Sequence, residues 1–441
     1  MSNTTFQYLI LGGAVFVTVL AILVFSGFGG GPQGAGSNVT VSIWGTFPQA
    51  DIQPYIQPFN QDNAATVGRV EYVEKNPETF EQDLVNALAS GEGPDVVFMP
   101  QKLLVRQSNK LQPLLFEQFS QRQYFDTYTD GADIFLTNEG ALALPVAVDP
   151  LVMYWNKSLL SSAGITNPPK YWDEVLTFPP KLTAKDSHAS IQQSAIALGG
   201  YRNISYAKDI LATLFLQTGD SITEPVYLDK GISARAILGT RGSQTLDATA
   251  SALRFYGQFG DPSKTAYSWN SALPNSRDMF IAGKLALYIG KASDLAHIVE
   301  ANPHLSFDVA AVPTIRPANP AEAVNTVYGD ILGLGVLRAS KHPVEAMQAA
   351  YLLSQKNYAE VFSQSAKLPS VRRDLLGADS GKDARQTTIN QAALNAHAWL
   401  DPNPEGTDKA FRLMVESINS GALTESSALS GARSDIDALV Q

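Results

Sequence analysis

Hydrophobic and polar positions follow two periods in the N-terminal part of the chain, and their order predicts an α/β fold. Residues 38–44 (NVTVSIW) alternate apolar and polar side chains and are rich in β-branched residues, which predicts a strand, and residues 70–73 predict a second one. Residues 52–60 and 77–90 carry apolar side chains at helical spacing. Residues 95–99 (DVVFM) are nearly all apolar, as is typical of a parallel strand covered on both faces.

This order of strands and helices predicts a βαβ architecture, in which ligands collect at the carboxyl ends of the strands. Trp44 and Thr46 lie at the end of the first predicted strand, and Gln101 follows the third. We therefore expect these side chains on one rim of the sheet.

Residues 144–157 (LPVAVDPLVMYWNK) contain two apolar runs separated by an Asp-Pro pair. Because Pro150 keeps Asp149 extended and supplies no ladder donor, we predict a strand interrupted at a corner, where the chain leaves one sheet for another body. A carboxylate at this crossing would face the space between the two bodies. The alternative is that Asp149 only shapes a turn.

Two glycine-rich segments invite a nucleotide-binding interpretation, and both lack its requirements. Residues 331–337 (ILGLGVL) contain Gly-x-Gly inside a predicted strand, without the third glycine or the acidic partner of a dinucleotide site. Residues 29–37 (GGGPQGAGS) have no strand before them and no Lys-Ser/Thr after them, as a phosphate loop requires. We interpret the first as a buried crossing strand and the second as a flexible linker.

Composition narrows the class of protein. The 441 residues are 45% hydrophobic and 17% charged, an ordinary globular balance for roughly two or three domains. A net charge of −10 argues against a nucleic-acid partner, because phosphate binding needs a basic face. The absence of cysteine excludes disulfides, thiolate metal sites, a cysteine nucleophile and a lipid-anchored N-terminus. The five histidines lack ligand spacing, so we predict no metal site and no cofactor.

The N-terminal segment predicts a membrane anchor. Residues 8–28 contain no charged side chain, and at about 1.5 Å per residue they can cross a bilayer of about 30 Å. The run is longer than the apolar region of a usual secretory signal and lacks a basic flank, which favours an uncleaved signal anchor in residues 1–28 over a removed signal peptide. Because no Lys or Arg flanks the run, charge does not orient it.

Several segments together resemble one known family. Residues 87–97 (ALASGEGPDVV) are similar to a segment of the extracellular solute-binding proteins that serve ABC importers, the class containing maltose-binding protein. Residues 144–157, 163–174 and 280–287 resemble further segments of that family. The matches keep the family's order over nearly all of residues 38–420.

The resemblance implies a type II periplasmic-binding-protein fold with two lobes, each a mostly parallel sheet flanked by helices, behind one transmembrane helix. In such a fold the chain passes between the two lobes three times, and we expect these crossings near residues 146–151, 327–331 and 367–373. One lobe would comprise residues 38–147 and 332–366, and the other residues 151–326 and 371–441. Both lobes would thus be assembled from separated parts of the chain.

The resemblance also implies a carbohydrate site in the cleft between the lobes. Sugar recognition needs aromatic faces and planar hydrogen-bonding groups. Asp149 stands where sugar binders of the family often carry a carboxylate, whereas Met99 replaces a stacking aromatic of some relatives, so an exact copy of a maltodextrin site is not expected. For each aromatic candidate the alternative is a place in a lobe core. The candidate residues are Trp44, Thr46, Gln101, Asp149, Tyr154, Tyr206, Trp269, Tyr288, Tyr328, Asp330 and Arg372.

On this basis we expect a monomeric, membrane-anchored binding protein outside the plasma membrane that passes a carbohydrate to the permease subunits of an ABC importer. One alternative is a ligand sensor without a transport role. Another is a surface glycosidase using Asp149 and Asp330, which would require two carboxylates roughly 5–10 Å apart. The ligand's identity is open, and a cation would also suit an acidic cleft.

Overall fold

The computed structural model describes residues 39–240, 243–317, 325–377 and 383–440. The predicted anchor in residues 1–28 and the linker in residues 29–37 lie outside these ranges. Within them, no helix has both the length and the apolar character needed to cross a bilayer.

Most strands belong to one sheet. Its order is β2-β1-β3-β14-β7-β12-β9-β8, with β13 paired to β7 and with β4 and β15 paired to β14. The strands are β1 (Thr40–Gly45), β2 (Arg69–Glu74), β3 (Val96–Pro100), β4 (Leu111–Gln112), β5 (Leu114–Leu115), β6 (Gly140–Ala141), β7 (Leu144–Asn156), β8 (Ala184–Lys185), β9 (Ile191–Ile196), β10 (Thr223–Tyr227), β11 (Ile232–Ala236), β12 (Leu285–Lys291), β13 (Phe307–Ala310), β14 (Val327–Leu337) and β15 (Ala396–His397).

Helices cover the sheet and form the C-terminal part of the described chain. They are α1 (Gln49–Asn63), α2 (Phe80–Ser90), α3 (Leu104–Gln107), α4 (Gln121–Thr127), α5 (Lys157–Ser162), α6 (Trp172–Val175), α7 (Pro179–Leu182), α8 (Ala207–Gln217), α9 (Ser243–Gly257), α10 (Ser276–Ile281), α11 (Asp294–Ala301), α12 (Pro343–Leu353), α13 (Lys356–Ala366), α14 (Arg373–Leu376), α15 (Ala384–Leu394), α16 (Pro404–Asn419) and α17 (Glu425–Ala438). Short 3₁₀ helices span Gln101–Leu103, Ser108–Lys110 and Asp130–Phe135.

The predicted βαβ start of the chain is confirmed. Strand β1 pairs in parallel with β2 and β3, and helices α1 and α2 connect the three strands in sequence. Helix α2 ends at Gly91, whose φ of 74° is accessible to glycine at little cost and whose N–H bonds to carbonyls of the last turn. Glycine and a nearby proline thus fix where β3 begins.

The predicted interruption at Asp149-Pro150 is wrong, because β7 is one continuous strand. It pairs with β14 up to Pro150, which lies opposite Gly329, and with β12 from Leu151 onward. The backbone nitrogen of Pro150, which carries no hydrogen, therefore lies where β7 changes its pairing from β14 to β12. The carbonyl of Pro150 still accepts a bond of 2.9 Å from the N–H of Ala292.

The predicted buried strand at residues 331–337 is confirmed as part of β14, which runs antiparallel to β7. Its glycines permit close packing of the neighbouring strands. A Cβ on Gly333 would lie 2.8 Å from Cβ of Ala143, and one on Gly335 would lie 2.9 Å from a methyl of Leu111. The Gly-x-Gly pattern therefore serves packing.

A third segment lies along β7 at the same level. The N–H of Val148 donates to the carbonyl of Pro369 over 3.0 Å, and Ala147 forms an isolated bridge with Ser370. β7, β14 and this segment, residues 368–372, thus run side by side at the centre of the molecule. We call them the crossing segments.

Buried apolar side chains form two clusters, and both include residues of β7 and β14. One cluster packs β1, β2 and β3 against α1, α12 and α13, with Phe98 and Phe362 stacked at 5.5 Å between ring centroids. The larger cluster extends from α2 and β3 past the C-terminal half of β7 to β12 and α8. Both clusters therefore contact the crossing segments.

Candidate binding site at the crossing segments

The centre of the candidate site is a group of charged side chains brought together by strand register. Asp149 of β7 is directly paired with Asp330 of β14, so both carboxylates lie on one face of the sheet. Lys291 ends β12 opposite Leu151, two residues beyond Asp149, and therefore lies on the same face. Its Nζ contacts Asp330 and lies 3.2 Å from Oδ2 of Asp209, in helix α8.

Two aromatic rings complete the surroundings of Lys291. Its Nζ lies 5.0 Å from the ring centroid of Tyr206 and 5.9 Å from that of Tyr328. An ammonium at such distances is attracted by the aromatic face. Lys291 is only 9% exposed, so these contacts are weakly screened by water. We call Asp149, Asp209, Lys291 and Asp330, with the two tyrosines, the Lys291 cluster.

Gln101 connects the end of β3 to this cluster. Its Nε2 donates to Oη of Tyr328 over 3.1 Å and to Oδ1 of Asp330 over 3.0 Å, while its Oε1 accepts from the N–H of Ile331 over 2.8 Å. Tyr328 Oη also donates to Asp330 over 2.9 Å. Gln101 is fully buried, so it holds Asp330 in one orientation.

Asp149 has a different set of partners. It accepts hydrogen bonds from the N–H and the Oγ of Ser293, at 3.0 Å and 2.6 Å. Ser293 immediately precedes helix α11, so the carboxylate ties β7 to the start of that helix. Asp149 is partly buried, whereas Ser293 is exposed. Asp149 therefore lies next to an exposed residue.

The protonation behaviour of these groups follows from burial and from Lys291. Burial raises the pKa of Asp149 to about 6, although Lys291 and Ser293 oppose the change. Burial also raises the pKa of Asp209. Burial alone would raise the pKa of Asp330, but the adjacent ammonium holds it well below its usual range. For Lys291, the three carboxylates outweigh burial and raise its pKa well above that of a free lysine.

Tyr206 occupies a strained position beside the cluster. It precedes helix α8 with a φ of 60°, a left-handed conformation that is uncommon for a bulky residue. Its Oη donates to Asp294 Oδ1 over 3.2 Å, and Asp294 also accepts from Tyr288 over 2.7 Å and from Arg277 over 3.3 Å. Strain of this kind persists only where surrounding contacts maintain it.

Trp44 and Thr46 lie at the predicted carboxyl end of β1, and neither hydrogen-bonds to the Lys291 cluster within the described ranges. Trp44 is half-buried, with Nζ of Lys75 3.6 Å from its ring centroid, and Thr46 is exposed. Both therefore remain accessible rim residues.

The structure places three aromatic candidates in the core, which was the alternative for each of them. Tyr154, Trp269 and Tyr288 are fully buried. Tyr154 donates to the carbonyl of Lys291 over 2.7 Å, and the indole of Trp269 donates to Asn203 over 3.0 Å. The prediction that these three side chains line a cleft surface is therefore wrong. Neighbouring elements pack over them and bury them completely.

Arg372 is also committed to the protein. Its guanidinium bonds to Asp374, with Nε 3.1 Å from Oδ1, and to the carbonyl of Ser354 over 3.2 Å. It is 9% exposed and lies at the end of the third crossing segment. These contacts hold that segment in place and do not bring Arg372 to the Lys291 cluster.

Lys291, Asp209 and Ser293 were missed in the sequence. A signal was present for two of them. Lys291 ends an otherwise uncharged apolar strand, and Asp209 directly precedes a mostly apolar run in helix α8. A charge in such a position is rarely buried without a partner. Ser293 carries no comparable signal.

Two cavities adjoin the cluster. One of about 490 Å³ lies at the start of α8 and is lined by Tyr206, Lys208, Asp209, Asp408 and Arg412, among others. Another of about 720 Å³ begins at Ala292 and Ser293 and is bounded by α11, α13, the third crossing segment, α14 and α15. Both lie in the size range of small-molecule sites, roughly 300–1,000 Å³. The described residues contain no group of three acidic or histidine side chains that could hold a metal ion.

Sequence relatives match part of this chain. Binding proteins from Brucella abortus (strain 2308) and Brucella suis biovar 1 (strain 1330) are each 28% identical over 268 residues, which is 59% of this chain. The match spans 56% of the length of these relatives.

Two solved structures share the fold over nearly the whole chain. A cyclo/maltodextrin-binding protein complexed with maltotetraose has a TM-score of 0.71 at 15% identity, over 93% of this chain and 99% of that one. The sugar-binding protein MalE from Xanthomonas citri has a TM-score of 0.70 at 18% identity, over 91% of this chain and 97% of that one. The α/β fold therefore matches that of two-lobed maltose-binding-like proteins.

The family profile described as bacterial extracellular solute-binding protein matches residues 54–388, which is most of the chain. The expected resemblance is thereby confirmed, and this chain belongs to the family of bacterial extracellular solute-binding proteins.

Proposed function

We propose that this protein captures a carbohydrate at the Lys291 cluster and delivers it to an ABC importer. The observation that carries the proposal is the place of Asp149 and Tyr206 beside two cavities: Ser293, the hydrogen-bond partner of Asp149, lines one of about 720 Å³, and Tyr206 lines the other, of about 490 Å³. A carboxylate suits sugar hydroxyls, and an aromatic face suits the C–H surface of a sugar ring.

Similar proteins support the choice of carbohydrate. Solved structures of the same fold contain maltotetraose and α-D-tagatose, the latter in a solute-binding protein from Thermotoga lettingae at 19% identity and a TM-score of 0.64. In this chain Trp44 and Tyr206 would offer the aromatic faces.

The crossing segments would act as the hinge of a two-lobed molecule. Residues 38–147 and 332–366 would form one lobe, and residues 151–326 and 371–441 the other. A ligand that contacts both lobes stabilises the closed form over the open one. The crossing segments, β7, β14 and residues 368–372, lie side by side. This supports the division, because closure of the lobes would then bend the backbone in one place only.

Delivery to an importer would require the protein to stay near its transporter. Residues 8–28 would be retained as a transmembrane anchor, with residues 29–37 as a flexible tether outside the plasma membrane. The chain has no cysteine for lipid attachment, so an apolar helix would replace that anchor.

The pKa difference between Asp149 and Asp330 resembles that of a glycosidase acid and its partner. However, both oxygens of Asp330 already have partners, Oδ1 with Gln101 and Tyr328 and Oδ2 with Lys291, so neither is free to act on a scissile bond. Binding without chemistry is therefore the function that the geometry supports best.

Ligand-dependent thermal unfolding with a panel of neutral sugars and oligosaccharides tests the proposal. A ligand that binds only the folded state raises the melting temperature in proportion to the logarithm of its concentration. We expect such a rise for at least one carbohydrate, without release of any product. No rise across the panel, or hydrolysis of a bound glycan, would contradict capture as the function.

A further inference from the structure

The surroundings of Lys291 have the chemistry of a site for an organic cation. Carboxylates of Asp149, Asp209 and Asp330 face the ammonium, and the rings of Tyr206 and Tyr328 lie 5.0 Å and 5.9 Å from it. Carboxylates combined with aromatic faces are what recognise an alkylammonium ligand. In this protein the position is filled by the chain itself.

The fold builds this arrangement from four separate elements. The carboxylates come from β7, α8 and β14, and the lysine comes from the end of β12. The side chain of Lys291 is 11% exposed, as is that of Asp209. A lysine placed so deeply among carboxylates is fixed there, because leaving would strand buried charges without partners.

We propose that Lys291 determines the charge class of the ligand: its ammonium fills the cation position of the site, so the cleft excludes organic cations and receives a neutral polyhydroxyl ligand. This inference rests on the proposed capture function and decides between the carbohydrate and the cation that the acidic side chains leave open.

An organic cation meets an electrostatic penalty at this cluster. A second ammonium would have to share the carboxylates with Lys291, and two like charges a few ångströms apart repel strongly where water is scarce. A neutral hydroxyl can donate to Asp149, which is only partly buried, without that penalty.

The first arm of the experiment uses the wild-type chain. Melting temperature is measured with neutral sugars and with spermidine. We expect a rise with a neutral sugar and no rise with spermidine. A rise with spermidine as large as that with any sugar would overturn the proposal, and this arm requires no variant.

The second arm removes the internal cation. Lys291→Ala should melt at a lower temperature, and propylammonium, which replaces the missing atoms, should restore several degrees of that loss. Propanol has nearly the same shape without the charge and should restore nothing. The variant should also acquire a response to spermidine, whereas Lys291→Arg, which keeps the charge, should not.

Lys157→Ala is the matched control, because Lys157 pairs with Asp308 at 2.7 Å but is 43% exposed. We expect no propylammonium response in this variant. A folded Lys291→Ala protein that ignores propylammonium and spermidine would overturn the proposal. If instead no sugar binds the wild type while rescue by propylammonium succeeds, the carbohydrate proposal fails and the assignment of Lys291 as the internal cation stands.

Discussion

Asp149 and Asp330 are direct neighbours on adjacent antiparallel strands, yet their environments differ in almost every respect. Asp330 is held by Gln101, Tyr328 and the ammonium of Lys291, and its pKa lies well below the usual range. Among the described residues, the Asp149 carboxylate accepts hydrogen bonds only from Ser293, and its pKa is raised to about 6. The comparison teaches that one carboxylate is committed to the fold, while the other remains available to a ligand.

The largest expected effect is the loss of the Asp330 charge. Asp330→Asn leaves Lys291 buried without its closest partner, and breaking such a pair costs about 3–5 kcal/mol of unfolding free energy. Urea unfolding at neutral pH measures this. Asp126→Asn is the control, because Asp126 pairs with Arg122 at the surface, where their side chains are 71% and 91% exposed, respectively. This substitution should lower the free energy of unfolding by less than about 1 kcal/mol. Equal effects of the two substitutions would show that Asp330 stabilises the fold no more than an exposed carboxylate does.

A smaller effect, on binding instead of folding, is expected for Asp149. Asp149→Ala should weaken the binding of the carbohydrate by about 2 kcal/mol, because the ligand loses a hydrogen bond to a charged group. The melting temperature without ligand should stay nearly unchanged. Calorimetric titration and thermal unfolding separate the two quantities. A large fall in unliganded stability with affinity intact would make Asp149 a structural corner.

The two carboxylates should also respond to pH with opposite signs. The folded pKa of Asp149 is raised from 3.8 to about 6, so its contribution to stability is complete below about pH 4 and is lost as the pH rises through about 6. The folded pKa of Asp330 is lowered, so its contribution is present above about pH 4 and is lost on acidification.

Unfolding free energies of the wild type and of Asp149→Asn, measured between pH 4 and pH 7, test the first sign. The wild type should lose about 1 kcal/mol relative to the variant over this interval, allowing for solvent screening of a partly buried group. A difference that stays constant with pH, or grows toward pH 7 in favour of the wild type, would show that burial does not control Asp149.

The smallest expected effect belongs to the rim. Trp44→Leu should reduce carbohydrate affinity by about 1 kcal/mol, because an aromatic face is lost while an apolar side chain remains. Tyr227→Leu is the control, since Tyr227 is 46% exposed on β10, which pairs with β11 in a separate two-stranded sheet. Titration of both variants with the same sugar should show a change only for Trp44.

The N-terminal elements were predictable because their signals are local. Alternation in β1, helical spacing in α2 and the glycine and proline that follow it are all contained in short windows. The corner assigned to Asp149-Pro150 failed for the opposite reason. Whether a proline interrupts a strand depends on the partners at that point, and those partners, Gly329 and Lys291, are distant in sequence.

The candidate site was predictable only in part. Gln101, Asp149, Tyr328 and Asp330 were found because each lies at a strand end or in a crossing segment. Lys291 was not, since its partners lie 39 and 82 residues away (330 − 291 and 291 − 209) and become neighbours only through sheet register. Burial of Trp269 and Tyr288 likewise depends on elements that pack over them, which no local pattern reveals.

Pro150 gives the central strand an unusual mechanical property. Most residues of a ladder can donate a hydrogen bond from their own backbone nitrogen, and bending the strand strains that bond. The nitrogen of Pro150 has no hydrogen to donate, and at this residue β7 changes its pairing from β14 to β12. A pivot of the two proposed lobes at Pro150 would therefore leave the backbone pairing on each side intact.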